Sequence, residues 1–341
     1  MRIWLIAFIV FISSHSVAQV PPEGPALRDL RGFTEGPFTF SAPKTSYWGP
    51  AVRQGGSFLK SNERTQVPGF LILPRGTTGK VPAMVVMHGI GGLYTRDGKR
   101  RAYWDYAAEL ARDGIAAVLV DTHGARGLGV TSQTSNVDVS VYSFVSDAFA
   151  AADMLRTHPL IDAERIGIMG FSKGGLTTLL STDRRLVTAF SATGTPFKLH
   201  IAIYPGCQTF PQKPQPTGAP VRMLLGEKDN FTGISGCAEI QQKLAPQGVD
   251  IRSTIYKGAY HGWDEAVQPF KTDDLSSADC RWSLLDSGEV EAGGRLLQTG
   301  ADNAAYVKSC LTREVIYVGR VPAAAEASMR DVLAFSLNQL R

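Results

Sequence analysis

Residues 165–176 read Arg165-Ile166-Gly167-Ile168-Met169-Gly170-Phe171-Ser172-Lys173-Gly174-Gly175-Leu176. A short apolar strand runs here into a serine flanked by glycines, and a helix-compatible segment follows. This is the sequence form of a nucleophile elbow, a tight connection that presents a serine at the edge of a parallel sheet. Glycine is needed because strand and helix approach closely only where no side chain intervenes. Ser172 is therefore the candidate nucleophile.

Apolar runs and helical patterns alternate on both sides of this elbow. The runs are continuous rather than alternating, which favours strands buried on both faces. The predicted strands cover 69–74, 82–87, 115–121, 166–169, 199–204, 221–226 and 249–256, and the clearest helices cover 103–112, 139–157, 237–244 and 323–340. This alternation predicts an α/β fold with a doubly wound, mostly parallel sheet wrapped by helices.

Composition limits the class of protein. A chain of 341 residues with 44% hydrophobic content can bury a large core, and one domain over residues 67–341 accounts for it. The formal charge is only +4, and no dense Lys/Arg run with interleaved aromatics is present. Nucleic acid is therefore not an expected partner.

The first 18 residues have the features of a secretory signal. Arg2 gives a positive start, residues 3–12 are almost all apolar, and residues 16–18 are small enough for cleavage after Ala18. The alternative is an uncleaved anchor, but the apolar run is short for a bilayer. We expect an exported protein, periplasmic or extracellular, without a stable membrane span after cleavage. Residues 19–66 are predicted to form an extended N-terminal arm without catalytic residues.

All four cysteines lie in the second half of the chain, and export would place them in an oxidising compartment. Three pairings are possible. We favour Cys207–Cys237, because both residues would lie in loops after neighbouring strands, and Cys280–Cys310, which would crosslink one insertion. The alternative is a zinc site, but the usual CxxC and HxxxH spacings are absent and no metal is expected.

Between residues 267 and 320 the strand–helix alternation breaks down. We interpret this region as an insertion after the last core strand, at the carboxyl rim of the sheet. It is a candidate wall or lid of the active site, and surface decoration is the alternative.

A serine nucleophile needs a base, and the base needs a carboxylate that orients it. In doubly wound hydrolases these residues follow in the order serine, acid, histidine. Asp229 lies after the strand at 221–226 and His261 after the strand at 249–256, which satisfies that order. Glu227 and Asp264 are alternatives for the acid.

Backbone amides are the best donors for a developing oxyanion. The candidates are Lys173, which follows the nucleophile, and Ile90 in the glycine-rich turn after the strand at 82–87. Two further residues lie at the same rim of the sheet. Arg126 is a candidate for binding a substrate carboxylate or for stabilising its loop, and Trp263 for lining a substrate pocket or for packing.

Together these motifs resemble the dienelactone hydrolase family of the α/β-hydrolases. The resemblance is carried by His88-Gly89-Ile90-Gly91-Gly92, Asp121-Thr122-His123-Gly124-Ala125-Arg126-Gly127, Gly170-Phe171-Ser172-Lys173-Gly174-Gly175, Gly226-Glu227-Lys228-Asp229 and Tyr260-His261-Gly262. It extends from about residue 67 to the end, apart from the insertion. The family's namesakes carry cysteine at the elbow, where this chain has Ser172.

The resemblance, with serine at the elbow, implies a serine hydrolase that cleaves a carboxylic ester or lactone through an acyl-enzyme and needs no cofactor. The predicted signal adds the expectation that this hydrolase is exported. Its partner would be a small-molecule ester or lactone substrate. A secreted peptidase or polymer esterase with the same residues is an alternative, and a non-catalytic binding module is a third. The sequence leaves the oligomeric state open.

Overall fold

The computed structural model describes residues 24–60, 63–95, 97–128, 139–266 and 268–341. The predicted signal at residues 1–18 lies outside these residues. The strands of the described part are β1 (Gly36–Pro43), β2 (Arg64–Ile72), β3 (Val81–Met87), β4 (Ala116–Val120), β5 (Ile161–Phe171), β6 (His200–Ile203), β7 (Thr209–Pro211), β8 (Val221–Gly226), β9 (Ile251–Tyr256), β10 (Phe270–Ser276), β11 (Trp282–Leu284), β12 (Val290–Ala292), β13 (Arg295–Leu297) and β14 (Thr312–Val318). The helices are α1 (Trp48–Gln54), α2 (Tyr103–Arg112), α3 (Val141–Arg156), α4 (Lys173–Leu180), α5 (Arg184–Phe190), α6 (Ser235–Leu244), α7 (Gly300–Cys310) and α8 (Pro322–Leu340).

An eight-stranded sheet forms the centre of the molecule, in the order β1-β2-β4-β3-β5-β6-β8-β9. The six strands from β4 to β9 run parallel. Strands β1 and β2 form an antiparallel edge beside β4. The predicted α/β fold with a mostly parallel sheet is confirmed.

Both faces of the sheet are covered by helices. Along β3, Ala83, Val85 and Met87 belong to a core that includes residues of α3, α4, α5 and α6. Met84 and Val86 belong to a second core with α2 and α8 on the opposite face. Because alternate side chains of one strand enter different apolar layers, the strand reads as a continuous apolar run.

The prediction of an extended N-terminal arm is wrong for much of residues 19–66. Strand β1 pairs with β2 along its whole length, from Gly36 opposite Leu71 to Pro43 opposite Arg64, and α1 follows. The side chains of Phe38 and Phe40 are fully buried. Their period of two is a strand signal, so this segment belongs to the sheet rather than lying over it.

The insertion after β9 has secondary structure of its own. Strands β10 and β14 form an antiparallel pair, and β11 to β13 join β7 in a small four-stranded sheet.

The structure contains both favoured disulfides, Cys207–Cys237 and Cys280–Cys310. Over the described residues, no helix has the length and apolarity needed to span a bilayer.

Candidate active site

Ser172 occupies the tight turn between β5 and α4. Its φ of 52° lies in the left-handed region that side-chain-bearing residues rarely adopt. A Cβ on Gly170 would lie 2.2 Å from the carbonyl oxygen of Gly174, and a Cβ on Gly174 would lie 2.3 Å from that of Met87. Both glycines are therefore required by close backbone contacts, and the turn holds the serine in the strained geometry predicted for the elbow.

Ser172, His261 and Asp229 form a continuous chain of hydrogen-bonding groups. His261 Nε2 lies 2.9 Å from Ser172 Oγ, and His261 Nδ1 lies 2.7 Å from Asp229 Oδ2. All three side chains are buried. This geometry allows His261 to accept the serine proton while Asp229 fixes the ring tautomer and stabilises the imidazolium that results.

The loop around Asp229 keeps its carboxylate ionised. Oδ1 accepts hydrogen bonds from the backbone N–H groups of Phe231 and Thr232, both at 3.1 Å, and Thr232 Oγ1 donates to Oδ2 at 3.1 Å. Burial alone would raise the pKa of Asp229. The interaction with His261 and the hydrogen bonds from Thr232 outweigh burial and lower this pKa below its ordinary value.

The two alternative acids have other partners. The Glu227 side chain accepts a hydrogen bond from the Gly258 N–H at 2.8 Å. Asp264 Oδ1 accepts one from the hydroxyl of Tyr204 at 2.7 Å. Among these three carboxylates, the structure places Asp229 against the Nδ1 atom of His261.

The candidate oxyanion residues lie on the two segments that meet at the serine. Lys173 is the first residue of α4, where the helix dipole favours negative charge. Ile90 lies in the turn closed by a hydrogen bond from Gly92 N–H to the carbonyl of Gly89, and a Cβ on Gly89 would come 3.3 Å from Ser172 Cβ. The role of both amides as oxyanion donors stays a prediction.

Arg126 is engaged within its own loop. Its guanidinium donates to both carboxylate oxygens of the buried Asp147, at 2.8 and 3.3 Å, and to the carbonyl of Thr122 at 2.8 Å. This bidentate ion pair fixes the orientation of the guanidinium within its own loop. The structure therefore supports the loop-stabilising role, and the substrate-binding role stays a prediction.

Trp263 is fully buried, which corrects its assignment to a substrate pocket. Its indole N–H donates to Ser328 Oγ on α8 at 3.1 Å, and its ring packs edge-on against Tyr204 and Tyr256. The packing alternative is the one that the structure supports. The sequence did contain a signal for this packing. The long C-terminal helix α8 must cover apolar surface, and Trp263 in the loop of His261 supplies part of it.

The insertion forms a wall beside the loops of Asp229 and His261. Asn230 Nδ2 donates to Glu314 Oε2 and to the carbonyl of Val315, both at 2.9 Å. Ser276 Oγ donates to the carbonyl of Asn230 at 2.6 Å, and Gly319 N–H donates to the carbonyl of His261 at 3.1 Å. These contacts fit the predicted wall, and surface decoration does not describe them.

Sequence reasoning missed the aromatic side chains around His261. The rings of Phe231 and Tyr204 contact the imidazole of His261, with centroids 5.1 and 4.9 Å away. Phe231 lies two residues after Asp229, so its place in the same loop could have predicted that its ring lies near His261. Tyr204 follows β6 and gave no separate sign of a role.

In the described part of the chain, no group of three or more His, Cys, Asp or Glu side chains is arranged to hold a metal ion. The expected independence from metals and cofactors stays a prediction.

Comparison with known proteins is consistent with this architecture. A probable 2-oxo-3-(5-oxofuran-2-ylidene)propanoate lactonase from Bradyrhizobium sp is 26% identical over 197 residues, which cover 55% of this chain and 75% of that protein. A probable dipeptidyl-aminopeptidase B from Fusarium vanettenii is 29% identical over 170 residues, but they cover only 46% of this chain and 18% of that longer protein.

Among solved structures, a dienelactone hydrolase-like promiscuous phosphotriesterase from metagenomic libraries aligns with a TM-score of 0.52 at 16% identity, over 90% of this chain and all of the other. The structure named m3DLH aligns with a TM-score of 0.53 at 20% identity, over 81% of this chain and 94% of its own. At these identities the likeness concerns the fold. The model of the dienelactone hydrolase family matches residues 67–285, well over half of the sequence, and the chain therefore belongs to this family of hydrolases.

Proposed function

We propose that the protein is an exported serine hydrolase that cleaves a carboxylic ester or a lactone through an acyl-enzyme intermediate. The observation that carries the proposal is the buried chain from Ser172 through His261 to Asp229, with both hydrogen-bond distances within 3 Å. The two disulfides support the exported location, because such bonds persist in oxidising compartments.

The geometry supports the following mechanism. Ser172 Oγ attacks the carbonyl carbon while His261 Nε2 accepts its proton, and Asp229 holds the Nδ1–H and stabilises the imidazolium. The tetrahedral oxyanion is stabilised by the backbone N–H groups of Lys173 and Ile90. His261 then protonates the leaving alkoxide, which in a lactone remains attached to the acyl group. A water molecule deprotonated by His261 hydrolyses the acyl-enzyme and restores Ser172.

A peptidase or polymer esterase is the second candidate. The likeness to the dipeptidyl-aminopeptidase supports it, but over less than half of this chain. The lactonase match covers three quarters of that relative and supports a small ester or lactone as the substrate. The same three residues would serve each reaction, so substrate profiling has to separate them.

The test is hydrolysis of p-nitrophenyl butyrate and of a five-membered unsaturated lactone by the protein from Gln19 onward. We expect the Ser172→Ala variant to lose at least about 10⁴-fold in kcat/KM. Ser181→Ala is the matched control, because Ser181 is also buried and lies at the other end of α4.

Equal turnover by Ser172→Ala and the wild type would contradict the proposal. Turnover of dipeptide amides or insoluble polyester in preference to small esters would favour the second candidate. Absence of labelling by a fluorophosphonate probe, together with absence of turnover, would favour a binding module.

A further inference from the structure

Tyr204 is in an unusual backbone conformation next to the candidate base. It is the first residue after β6, its side chain is buried, and its φ is 34°. A bulky aromatic residue at positive φ is a genuine outlier that persists only where surrounding contacts hold it. Ser172 is the other described non-glycine residue at positive φ, so both outliers of the described chain lie at the same site.

Three sets of contacts hold Tyr204 in place. Its backbone N–H donates to the carbonyl of Leu224 at 2.8 Å. Its ring packs edge-on against Trp263, with centroids 4.8 Å apart. Its hydroxyl donates to Asp264 Oδ1 at 2.7 Å. The ring therefore has little freedom to turn or to shift.

Asp264 is a buried carboxyl next to the hydroxyl groups of Tyr204 and Tyr106. It lies three residues after His261 on the same loop, and its second oxygen has no hydrogen-bond partner among the described residues. Burial, with the neighbouring Glu265 as a further cause, raises the pKa of Asp264 to about 7. A buried carboxyl is costly without hydrogen bonds, so the Tyr204 hydroxyl anchors this loop as much as the loop anchors Tyr204.

The base needs such an anchor. Asp229 lies at hydrogen-bond distance from one nitrogen of the His261 ring and Ser172 from the other, and packing against neighbouring aromatic rings restrains the rest of the imidazole. The Tyr204 ring lies edge-on to the imidazole at a centroid distance of 4.9 Å and also contacts Phe171, the residue before the nucleophile, at 5.9 Å. Tyr204 thus lies between the strand that carries Ser172 and the loop that carries His261.

We propose that Tyr204 and Asp264 form a positioning pair that holds the His261 ring in line between Asp229 and Ser172. The hydroxyl of Tyr204 is directed to Asp264 and not to the reacting atoms, so neither residue is catalytic. The inference rests on the proposed function, in which His261 is the base, and extends it by two residues that no comparison assigns.

Tyr256 offers a matched control. Its hydroxyl donates to a carboxylate, Asp331 Oδ2, at the same 2.7 Å, and its ring also packs against Trp263. It is buried to a similar degree but makes no ring contact with His261. Tyr204→Phe and Tyr256→Phe therefore remove equivalent hydroxyl groups at different distances from the base.

The experiment measures kcat, KM and melting temperature of both variants with p-nitrophenyl butyrate, and the downfield proton resonance of His261 Nδ1–H by NMR. We expect Tyr204→Phe to lower kcat about tenfold with KM changed less than about twofold, and to broaden the resonance. Tyr256→Phe should lower the melting temperature similarly but leave kcat within about twofold and the resonance unchanged.

Asp264→Leu tests the other half of the pair. It should reproduce the kcat of Tyr204→Phe, and the double variant should lose no more than either single variant, because the two act as a unit. Asp264→Asn, which keeps an oxygen acceptor, should retain more kcat than Asp264→Leu.

Wild-type kcat and an unchanged resonance in Tyr204→Phe would overturn the proposal, as would an equal loss of kcat in Tyr256→Phe. Failure of the proposed function is a separate result. It would appear as retained turnover in Ser172→Ala or as an absence of turnover in the wild type. In the second case the NMR resonance still decides whether Tyr204 positions His261.

Discussion

Ser172 and its two partners in the candidate site are placed by different parts of the molecule. Ser172 is held by its own neighbours in sequence, a strand, a glycine-flanked turn and a helix. Asp229 and His261 lie in loops that contact two residues near the end of the insertion. Glu314 lies 84 residues after its partner Asn230, and Gly319 donates to the carbonyl of His261. One half of the site is therefore a local sequence motif, and the other half depends on tertiary structure.

The largest expected effect comes from breaking the local half. In Gly170→Ala the new Cβ meets the backbone oxygen of Gly174 at 2.2 Å, which no side-chain rearrangement relieves. We expect a loss of unfolding free energy of about 3 kcal/mol or more and a loss of esterase activity of at least about 100-fold. Urea unfolding and p-nitrophenyl butyrate turnover measure the two effects.

Gly79→Ala is the control for this change, because a Cβ there has no atom within 4 Å. It should match the wild type in both measurements. A Gly170→Ala variant with wild-type activity would mean that the elbow tolerates a displaced helix.

The disulfides test whether the two halves unfold together. Each bond joins two cysteines with a sequence separation of 30. Cys207–Cys237 lies beside the elbow, and Cys280–Cys310 lies within the insertion. In the chain-entropy model each contributes about 3 to 4 kcal/mol. Replacing either cysteine pair by serine should therefore lower the unfolding free energy by similar amounts in a single transition, followed by circular dichroism.

A second, earlier unfolding transition that appears only in the Cys280→Ser/Cys310→Ser variant would contradict the expectation of a single transition. The insertion would then unfold independently of the sheet, and activity should disappear with that first transition.

Acid should weaken the sheet next to the elbow. His200 on β6 pairs with Ile168 of the elbow strand, and burial lowers the pKa of His200 to about 4. The folded state thus favours the neutral imidazole. Protonation of His200 therefore costs no unfolding free energy above the unfolded pKa near 6.5, and the unfolding free energy decreases as the pH falls from there towards 4.

Between about pH 7.5 and about pH 5 the wild type should lose about 2 kcal/mol more unfolding free energy than a His200→Gln variant. Urea unfolding at both pH values gives the difference, and other titrating groups cancel in it. Parallel pH dependence of the two proteins would contradict the burial argument.

The smallest expected effect concerns the tertiary half. Asn230→Ala removes the hydrogen bonds to Glu314 and Val315 without touching Asp229 itself. We expect kcat to fall about tenfold through misplacement of the acid loop, with a loss of stability of about 1 kcal/mol. Asn303→Ala removes a hydrogen bond to Trp282 elsewhere in the insertion and should leave kcat unchanged. Equal kcat in the two variants would show that the wall does not position Asp229.

The elbow, the order of the three site residues and most core strands were predictable, because each depends on a local pattern. Helix α2 was placed at its observed ends. The partners of Arg126 and Trp263 were not predictable, because Asp147 and Ser328 come from distant helices. Nor did any local pattern show that β14 would return to His261, since that contact depends on how the insertion folds.

The ends of the insertion meet at a single place. The chain leaves the sheet at Tyr256, passes through the loop of His261 into the insertion, and returns to that loop. There Gly319 N–H donates to the carbonyl of His261 and Val321 N–H to that of Trp263, at 3.1 and 2.8 Å. A segment whose ends are joined in this way can change in length at little entropic cost, because loop closure depends only weakly on length. The insertion is thus suited to replacement as a cassette during evolution or engineering, with α8 and the sheet left in place.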